Sequence, residues 1–214
     1  MTVATGKFIT FEGGEGLGKT TNIPFVANYL QQQGIVVTTT REPGGTQLAE
    51  KIRHLLLDTA GESLSEQTEL LLMFAARSQH IRHVIQPALD QGHWVLCDRF
   101  TDATYAYQGG GRGIPTAAIA WLEQWVQAEL RPDLTLLFDA PVAIGMTRVA
   151  QRKGVADRFE LEHLGFFERV RSAYLARAQQ NPGRMKIIAA DQPLPSVQAN
   201  IGAVLDALIG QTAL

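Results

Sequence analysis

The feature that most constrains this 214-residue chain is a glycine-rich loop between an apolar strand and a helical stretch. The loop fits the pattern G-x-x-x-x-G-K-[ST], in which successive backbone N–H groups converge on phosphate oxygens. Residues 7–12 before it are rich in aromatic and β-branched side chains, and residues 19–33 after it favour a helix that ends at Gly34. This order places the positive end of a helix under a phosphate group.

The loop predicts a nucleoside triphosphate site. Lys19 can reach the β- and γ-phosphates, and the Thr20 hydroxyl can ligate Mg²⁺. A chance glycine-rich turn is the alternative, and the strand and helix on either side argue against it. The residues predicted to bind ATP are Gly13, Gly14, Glu15, Gly16, Leu17, Gly18, Lys19, Thr20 and Thr21.

Composition favours an ordinary soluble protein with one domain, residues 1–214. With 45% hydrophobic and 19% charged residues, the chain is neither disordered nor membrane-like, and no apolar run approaches a bilayer-spanning length. Its formal net charge of -2 provides no basic field that would suggest nucleic acid as a partner. The short N-terminus leaves no room for a signal peptide, so we expect a cytoplasmic location.

Strands and helical stretches alternate along the whole chain. After the strand at 7–12, further candidates cover residues 35–40, 94–97, 134–138 and, more weakly, 185–189. Nearly continuous apolar strands separated by helices are typical of a parallel sheet buried on both faces. We therefore predict an α/β fold with a doubly wound, parallel five-stranded sheet flanked by helices, whose ligands bind beyond the carboxyl ends of the strands. The lone cysteine, Cys97, is interpreted as a buried packing residue.

Asp98 and Arg99 follow the third strand, at the same edge of the sheet as the phosphate loop. A carboxylate there can hold a metal ion or its waters, which makes Thr20 and Asp98 the predicted Mg²⁺ ligands. The planar guanidinium of Arg99 suits a pair of phosphate oxygens. The alternative for Asp98 is a strand-end residue that caps the next helix.

A long helical stretch at 64–90 carries an apolar stripe spaced by three and four residues, and Arg77 lies on that stripe. A guanidinium directed towards the interior needs either a buried acid or a ligand as its partner, and the sequence leaves both open. Residues 101–113 end in a glycine cluster, which predicts a loop rather than a helix or strand. The loop follows Asp98 and Arg99, which predicts that it lies over the site, and a simple surface loop is the alternative.

A further group of cations follows the fourth strand. Arg148, Arg152, Lys153 and Arg158 lie around Gly154, and we predict that the segment at about 148–160 is a flap over the phosphates. A solvated basic helix face is the alternative.

Several motifs, taken in order, make the chain resemble the thymidylate kinase family, particularly its bacterial members, over essentially its full length. Each is only suggestive alone, but together they are highly specific. Besides the phosphate loop with its embedded acid, they are Arg41-Glu42-Pro43-Gly44-Gly45-Thr46, Asp98-Arg99, Ala106-Tyr107-Gln108-Gly109, Arg131-Pro132-Asp133-Leu134, and Arg152-Lys153-Gly154 with Asp157-Arg158.

The resemblance implies a P-loop kinase of the nucleoside monophosphate kinase type. Such an enzyme is a homodimer that uses Mg²⁺ to transfer the γ-phosphate of ATP to dTMP, a step in dTTP synthesis. The catalytic residues that the resemblance and the cation pattern imply are Lys19, Asp98, Arg99, Arg152, Lys153 and Arg158.

The resemblance also implies a role for each residue around the acceptor. Glu15 lies near the sugar hydroxyls of dTMP, and Arg53 and Arg99 hold its 5′-phosphate. Arg77 contacts the thymine carbonyl. Thr104 and Gln108 contact the base, and Tyr107 shapes the pocket.

The chain departs from the family pattern at two positions. Met73 stands where the family commonly has phenylalanine, and Phe74 follows it, so either side chain is a candidate to stack on the base. Lys153 stands where bacterial members usually carry an essential arginine, with Arg152 beside it. Either residue is therefore a candidate for the catalytic cation of the flap.

Two other functions remain open at this point. One is another nucleoside monophosphate or deoxynucleoside kinase, and the other is a nucleotide-binding switch that hydrolyses slowly and signals through partners. Arginines from at least four segments converge on the expected site, which suits a second phosphorylated substrate better than a switch that binds one nucleotide.

Overall fold

The computed structural model describes residues 6–151, 158–160 and 162–212. Five parallel strands form one sheet in the order β2-β3-β1-β4-β5. The strands are β1 (Phe8–Gly13), β2 (Val37–Arg41), β3 (Trp94–Asp98), β4 (Leu134–Asp139) and β5 (Met185–Ala189). The predicted doubly wound α/β sheet is confirmed, including its weakest strand.

Helices occupy most of the connections between these strands. They are α1 (Lys19–Gln32), α2 (Gln47–Leu57), α3 (Glu66–His80), α4 (Gln86–Asp90), α5 (Thr101–Thr104), α6 (Thr116–Gln127), α7 (Val142–Ala150), α8 (Leu164–Gln180) and α9 (Leu194–Thr212). None of the helices in the described part of the chain combines the length and apolar composition that crossing a bilayer would need.

The central strands are buried on both faces because helices cover both sides. On one side, Ile9 and Phe11 of β1 pack with residues of α1 and α9. On the other side, Phe8 packs with Phe100, ring centroid to ring centroid at 4.9 Å, and α8 covers β4. Cys97 is a free, buried thiol, as predicted. The side chain of Glu12 projects towards α8, where its carboxylate meets Tyr174.

Residues 101–113 are mainly helical, so the prediction of a loop was wrong. A π-helical segment, Tyr105–Gly111, continues directly from α5. Its glycines allow α8 to approach the backbone closely. A Cβ on Gly110 would lie 2.6 Å from that of Ala173, and one on Gly111 would lie 2.4 Å from the Phe166 ring. The glycine cluster is therefore a packing requirement, not a helix terminator.

The helical stretch predicted at 64–90 is continuous from α3 to α4 but changes its winding. A π-helical turn at Ile81–Ile85 joins the two, and the amide of Gln86 donates to the Ile81 carbonyl, five residues earlier. Pro87 follows immediately and has no amide hydrogen to donate. The wider turn thus lies where the proline interrupts the ordinary i to i−4 pattern.

Candidate active site

A cavity of about 450 Å³ opens at the carboxyl ends of the strands. Residues 15–21 of the phosphate loop and the start of α1 form one wall. Arginines from three other segments, Arg53, Arg77 and Arg99, line it as well. The volume is within the range of small-ligand sites, and the cavity lies where doubly wound sheets bind ligands.

The phosphate loop is packed directly against β4 and α7. A Cβ on Gly13 would lie 2.2 Å from the carbonyl oxygen of Phe138, and one on Gly16 would lie 2.3 Å from that of Gly145. Both glycines also have positive φ angles, 127° and 70°. The loop conformation therefore excludes side chains at these two positions.

Lys19 lies at the start of α1 with its ammonium group folded into the loop. Its Nζ donates to the carbonyls of Gly13 at 3.0 Å and Gly14 at 2.7 Å. Burial, together with the nearby charge of Arg99, lowers the pKa of Lys19 to about 8. An anion that displaced these carbonyls would stabilise the charged form.

Arg99 forms the centre of a second group of contacts. Its NH2 donates to Glu15 Oε1 at 2.5 Å, and its NH1 donates to the Gly13 carbonyl at 3.0 Å. The guanidinium carbon also lies 4.9 Å from the centroid of the Tyr107 ring. Burial opposes its charge, but Glu15 and other neighbours hold the pKa of Arg99 well above its ordinary value. Its φ of 66° is unusual for a residue with a side chain and is typical of functional sites.

Glu15 is directed to this second group. Its Oε1 accepts from the Tyr107 hydroxyl at 3.0 Å as well as from Arg99. A carboxylate within a phosphate loop would repel a triphosphate, and these contacts hold its negative charge towards Arg99 and Tyr107 instead.

Arg77 is buried and pairs with an acid, one of the two possibilities that the sequence left open. Its Nε donates to Glu42 Oε2 at 2.7 Å, and its NH2 donates to Thr104 Oγ1 at 3.0 Å. The other oxygen of Glu42 lies 2.9 Å from Nδ1 of His80. Within the described part of the chain, the buried NH1 of Arg77 has no hydrogen-bond partner, which leaves one donor for a ligand.

Of the remaining residues predicted to bind the acceptor, all but one line the cavity. Met73, Thr104, Tyr107 and Gln108 all line the cavity. Phe74, in contrast, does not line the cavity that the described residues form. It is 2% exposed and packs in a cluster with Leu70, Tyr105, Ile119 and Leu122. Its ring lies under Arg77, 4.8 Å from the guanidinium carbon. Of the two candidates for stacking on a base, the structure places Met73 on the cavity wall.

The two ends of the predicted flap border the cavity. Arg148 lines it from α7, and Phe159 and Glu160 line it on the other side. Arg158 is directed elsewhere: its NH2 donates to Glu69 Oε2 at 2.5 Å, and its Nε to the Leu56 carbonyl at 2.9 Å. Arg152, Lys153 and Asp157 lie outside the described residues.

Asp98 and Thr20 fit a hydrated Mg²⁺ ion held partly by nucleotide phosphates. Asp98 Oδ1 is buried and has no hydrogen-bond partner within the described chain. Thr20 lies beside the phosphate loop with an exposed side chain. Among the described residues, no group of three or more His, Cys, Asp and Glu side chains could hold a metal by itself. A metal here would take most of its ligands from phosphate and water, as Mg²⁺ usually does.

Glu12 is connected to Arg99 through the hydroxyl group of Tyr174. The Tyr174 hydroxyl donates to Glu12 Oε2 at 2.7 Å and accepts from Arg99 NH1 at 3.3 Å. The Phe100 amide donates to Glu12 Oε1 at 2.7 Å. Burial, with the nearby charge of Asp102, raises the pKa of Glu12 to about 8. Burial thus favours the neutral form of the Glu12 carboxyl group.

We expect Glu12→Gln to become more stable than the wild type as the pH rises from about 5 to 8. The pKa of Glu12 is 4.5 ordinarily and about 8 in the folded protein, so between these values only the folded state binds the proton. The free energy of unfolding of the wild type then falls as the pH rises, whereas glutamine contributes no such loss. The difference in Tm should grow by about 4 °C or more across this range.

Thermal unfolding at several pH values tests this expectation. Glu129→Gln, at an exposed glutamate, is the matched control and should track the wild type. A Tm difference for Glu12→Gln that does not change with pH would show that Glu12 is ionised in the folded protein.

Sequence reasoning missed several residues of the site. Glu42 was noted only as part of a turn motif, and Glu12 only as part of a strand. Glu69, 39 residues from its partner Gln108, was not noted at all. The sequence held one signal for the Glu42–Arg77 pair. It was a carboxylate directly before a proline at a strand end, together with an inward-facing arginine elsewhere in the chain. The Glu12 and Glu69 contacts depend on tertiary packing and have no local signal.

Comparisons with known proteins agree with this geometry. The family model described as thymidylate kinase matches residues 11–201. The chain is 60% identical over 205 residues to a thymidylate kinase of Ectopseudomonas mendocina (strain ymp), covering 96% of this chain and 97% of that protein. It is 58% identical over 205 residues, with the same shares covered, to a thymidylate kinase of Pseudomonas savastanoi pv. phaseolicola (strain 1448A / Race 6).

A solved structure gives the same result. The crystal structure of a thymidylate kinase from Ehrlichia chaffeensis matches with a TM-score of 0.76 and 35% sequence identity, covering 94% of this chain and 99% of that one. The resemblance inferred from the motifs is thereby confirmed, as is the P-loop kinase fold. This chain belongs to the thymidylate kinase family.

Proposed function

We propose that this protein transfers the γ-phosphate of ATP to the 5′-phosphate of dTMP, giving dTDP and ADP. The observation that carries the proposal is a single cavity with two different ends. The phosphate loop with Lys19 forms one end, and Arg77, Thr104 and Gln108 form a polar base-recognition end at the other. A switch that binds one nucleotide needs no second recognition end, so the arrangement favours a two-substrate enzyme over that alternative.

Two further arginines of the cavity account for the acceptor phosphate. Arg53 and Arg99 line the same cavity and are suited to hold the acceptor 5′-phosphate. Arg53 NH1 is held by the Pro43 carbonyl at 3.0 Å, which fixes the direction of the guanidinium. Phosphoryl transfer requires mainly positioning and neutralisation of charge, which these groups and Lys19 supply.

Thr20 and Asp98 would hold Mg²⁺ with the phosphates. When bound, the ion would neutralise charge on the phosphate oxygens. The chain's own residues do the rest. Lys19 replaces its contacts with Gly13 and Gly14 by contacts with phosphate, and Glu15 is placed for the sugar hydroxyls of dTMP beside Arg99 and Tyr107.

The acceptor preference provides the test. With ATP and Mg²⁺, ADP release should be fastest with dTMP, and kcat/KM for dUMP should be about 10–200-fold lower. A single methyl group in an apolar pocket contributes discrimination of this size, and Met73 and Phe100 supply apolar lining. Comparable activity with AMP or CMP would instead indicate another nucleoside monophosphate kinase. ATP hydrolysis that no acceptor accelerates would indicate a nucleotide switch.

We also propose that the protein is a homodimer that pairs through α2, α3 and α6. These helices are neighbours, with α3 in contact with both others. They expose large apolar side chains: Leu48 and Leu55 on α2, Leu71 on α3, and Trp121 and Trp125 on α6. Trp121 and Trp125 are 64% and 72% exposed, with ring centroids 5.4 Å apart. Exposed apolar side chains on three neighbouring helices are typical of an interface, and a second copy presents the same side chains.

Sedimentation analysis tests the dimer. The wild type should sediment as a dimer at micromolar concentration, and Trp125→Glu should shift it towards the monomer. Val36→Glu is a matched control, because Val36 is 57% exposed but lies just before β2, away from these helices. A monomeric wild type, or an equal shift with Val36→Glu, would contradict this interface.

A further inference from the structure

One buried carboxylate outside the cavity lining connects several parts of the site. Glu69 of α3 is 1% exposed. Its Oε1 accepts from Gln108 Nε2 at 2.7 Å, and its Oε2 accepts from Arg158 NH2 at 2.5 Å. Nε of Arg112 lies 3.3 Å from the same Oε2. Of these partners, Gln108 alone borders the cavity in the described part of the chain.

The carboxylate determines which way the Gln108 amide faces. An ionised carboxylate, held here by two arginines, accepts hydrogen bonds and has none to donate. Gln108 must therefore turn its NH2 group to Glu69, as the 2.7 Å contact shows. The amide oxygen is left as the end that can face a ligand in the cavity. Glu69 thus makes Gln108 an acceptor at a position where a free glutamine could present either group.

Arg77 offers the same cavity a hydrogen-bond donor, where Gln108 offers an acceptor. Glu42 and Thr104 hold its Nε and NH2, and its buried NH1 has no partner within the described chain. The base end of the cavity therefore offers a fixed donor from Arg77 and a fixed acceptor from Gln108. Thymine and uracil present a carbonyl acceptor next to a ring N–H donor. Cytosine presents an amino donor next to a ring nitrogen acceptor, the reverse order.

We propose that Glu69 is a positioning residue for substrate specificity. By orienting the Gln108 amide, it selects a pyrimidine that carries a ring N–H and disfavours cytosine. This inference rests on the proposed function, because it concerns the acceptor of that same site. A buried polar group that meets the wrong partner is left unsatisfied, which is the basis of strong discrimination between similar ligands.

Glu69→Gln is the direct test. Glutamine at position 69 can donate as well as accept, so the Gln108 amide can turn its NH2 group towards the ligand. The ratio of kcat/KM for dTMP to that for dCMP should fall about tenfold or more, with a raised KM for dTMP and an unchanged KM for ATP. Glu162→Gln is the matched control. Glu162 also pairs with Arg112 but makes no contact with Gln108, so the ratio should stay at the wild-type value.

A second variant separates positioning from general support of the fold. In a Gln108→Leu background the amide is absent, so adding Glu69→Gln should leave the dTMP/dCMP ratio unchanged. If Glu69→Gln does not fold, Glu69→Asp replaces it, because aspartate keeps the charge beside Arg158 and Arg112 but withdraws the acceptor from Gln108. The expected fall in the ratio is the same in direction.

The outcomes distinguish the two proposals. A wild-type ratio in folded Glu69→Gln or Glu69→Asp overturns the inference, even if overall activity falls. So does a ratio that still changes when the Gln108 amide is absent. If the wild-type protein transfers no phosphate to dTMP, the proposed function itself fails, and that result is visible before any variant is made.

Discussion

Lys19→Met should lower kcat for dTDP formation by about 10³-fold or more while the protein keeps its fold. The ammonium group is buried in the phosphate loop, and within the described part of the chain its hydrogen bonds go to the carbonyls of Gly13 and Gly14. Its function is to supply a positive charge to phosphate oxygens. Burial lowers its pKa to about 8, so the folded protein pays a penalty for its charge at neutral pH.

This variant should therefore separate activity from stability. Removing a buried cation that burial disfavours should leave the Tm unchanged or higher, although activity is lost. Activity assays and thermal unfolding on the same preparation make the comparison. Lys186→Met, at a partly exposed lysine on β5, is the control and should keep wild-type activity. Near-normal turnover of folded Lys19→Met would remove the lysine from the mechanism.

Alanine at either Arg152 or Lys153, whichever supplies the flap cation, should lower kcat by about 10³-fold with little change in the KM for dTMP. The phosphate loop has no basic residue between Gly13 and Gly18, and kinases of this type need a further cation on the transferring phosphoryl group. Arg99 is engaged with Glu15, and Arg148 donates to the Ala190 carbonyl at 3.0 Å. The flap is the next source along the chain, since both of its described ends border the cavity.

Steady-state kinetics of the two single variants and the double variant test this expectation. Arg82→Ala, at an exposed arginine of the π-helical turn after α3, controls for a general loss of surface charge. Normal kcat in all three flap variants would contradict a catalytic flap. A loss confined to Arg158→Ala would transfer the role to Arg158 and would require it to leave Glu69.

Much of the architecture could be predicted from the sequence because its signals are local. The phosphate loop is specified by residue types at fixed spacing between a strand and a helix. Four of the five strands are short runs of mainly apolar residues and β2 is a β-branched run, and all are separated by helical sequence. The need of Arg77 for a buried partner was also evident, because a charged group on an apolar stripe cannot remain unpaired.

The parts that could not be predicted depend on contacts between distant segments. The glycines at 109–111 suggested a loop, but Gly110 and Gly111 lack side chains because α8 packs directly against their backbone. Phe74 was as good a candidate for base stacking as Met73 until packing placed it in a cluster with α6. The raised pKa of Glu12 comes from burial and from Asp102, 90 residues later in the chain, and no spacing rule contains that information.

The most direct test of the central claim is ³¹P NMR of the purified protein with ATP, Mg²⁺ and dTMP. This measurement follows the transferred phosphoryl group itself, rather than the release of ADP. We expect the γ-phosphate signal of ATP and the monophosphate signal of dTMP to decline together, as the terminal β-phosphate signals of ADP and dTDP grow, with little inorganic phosphate. Growth of inorganic phosphate at the same rate with and without dTMP, with an unchanged dTMP signal, would contradict the account.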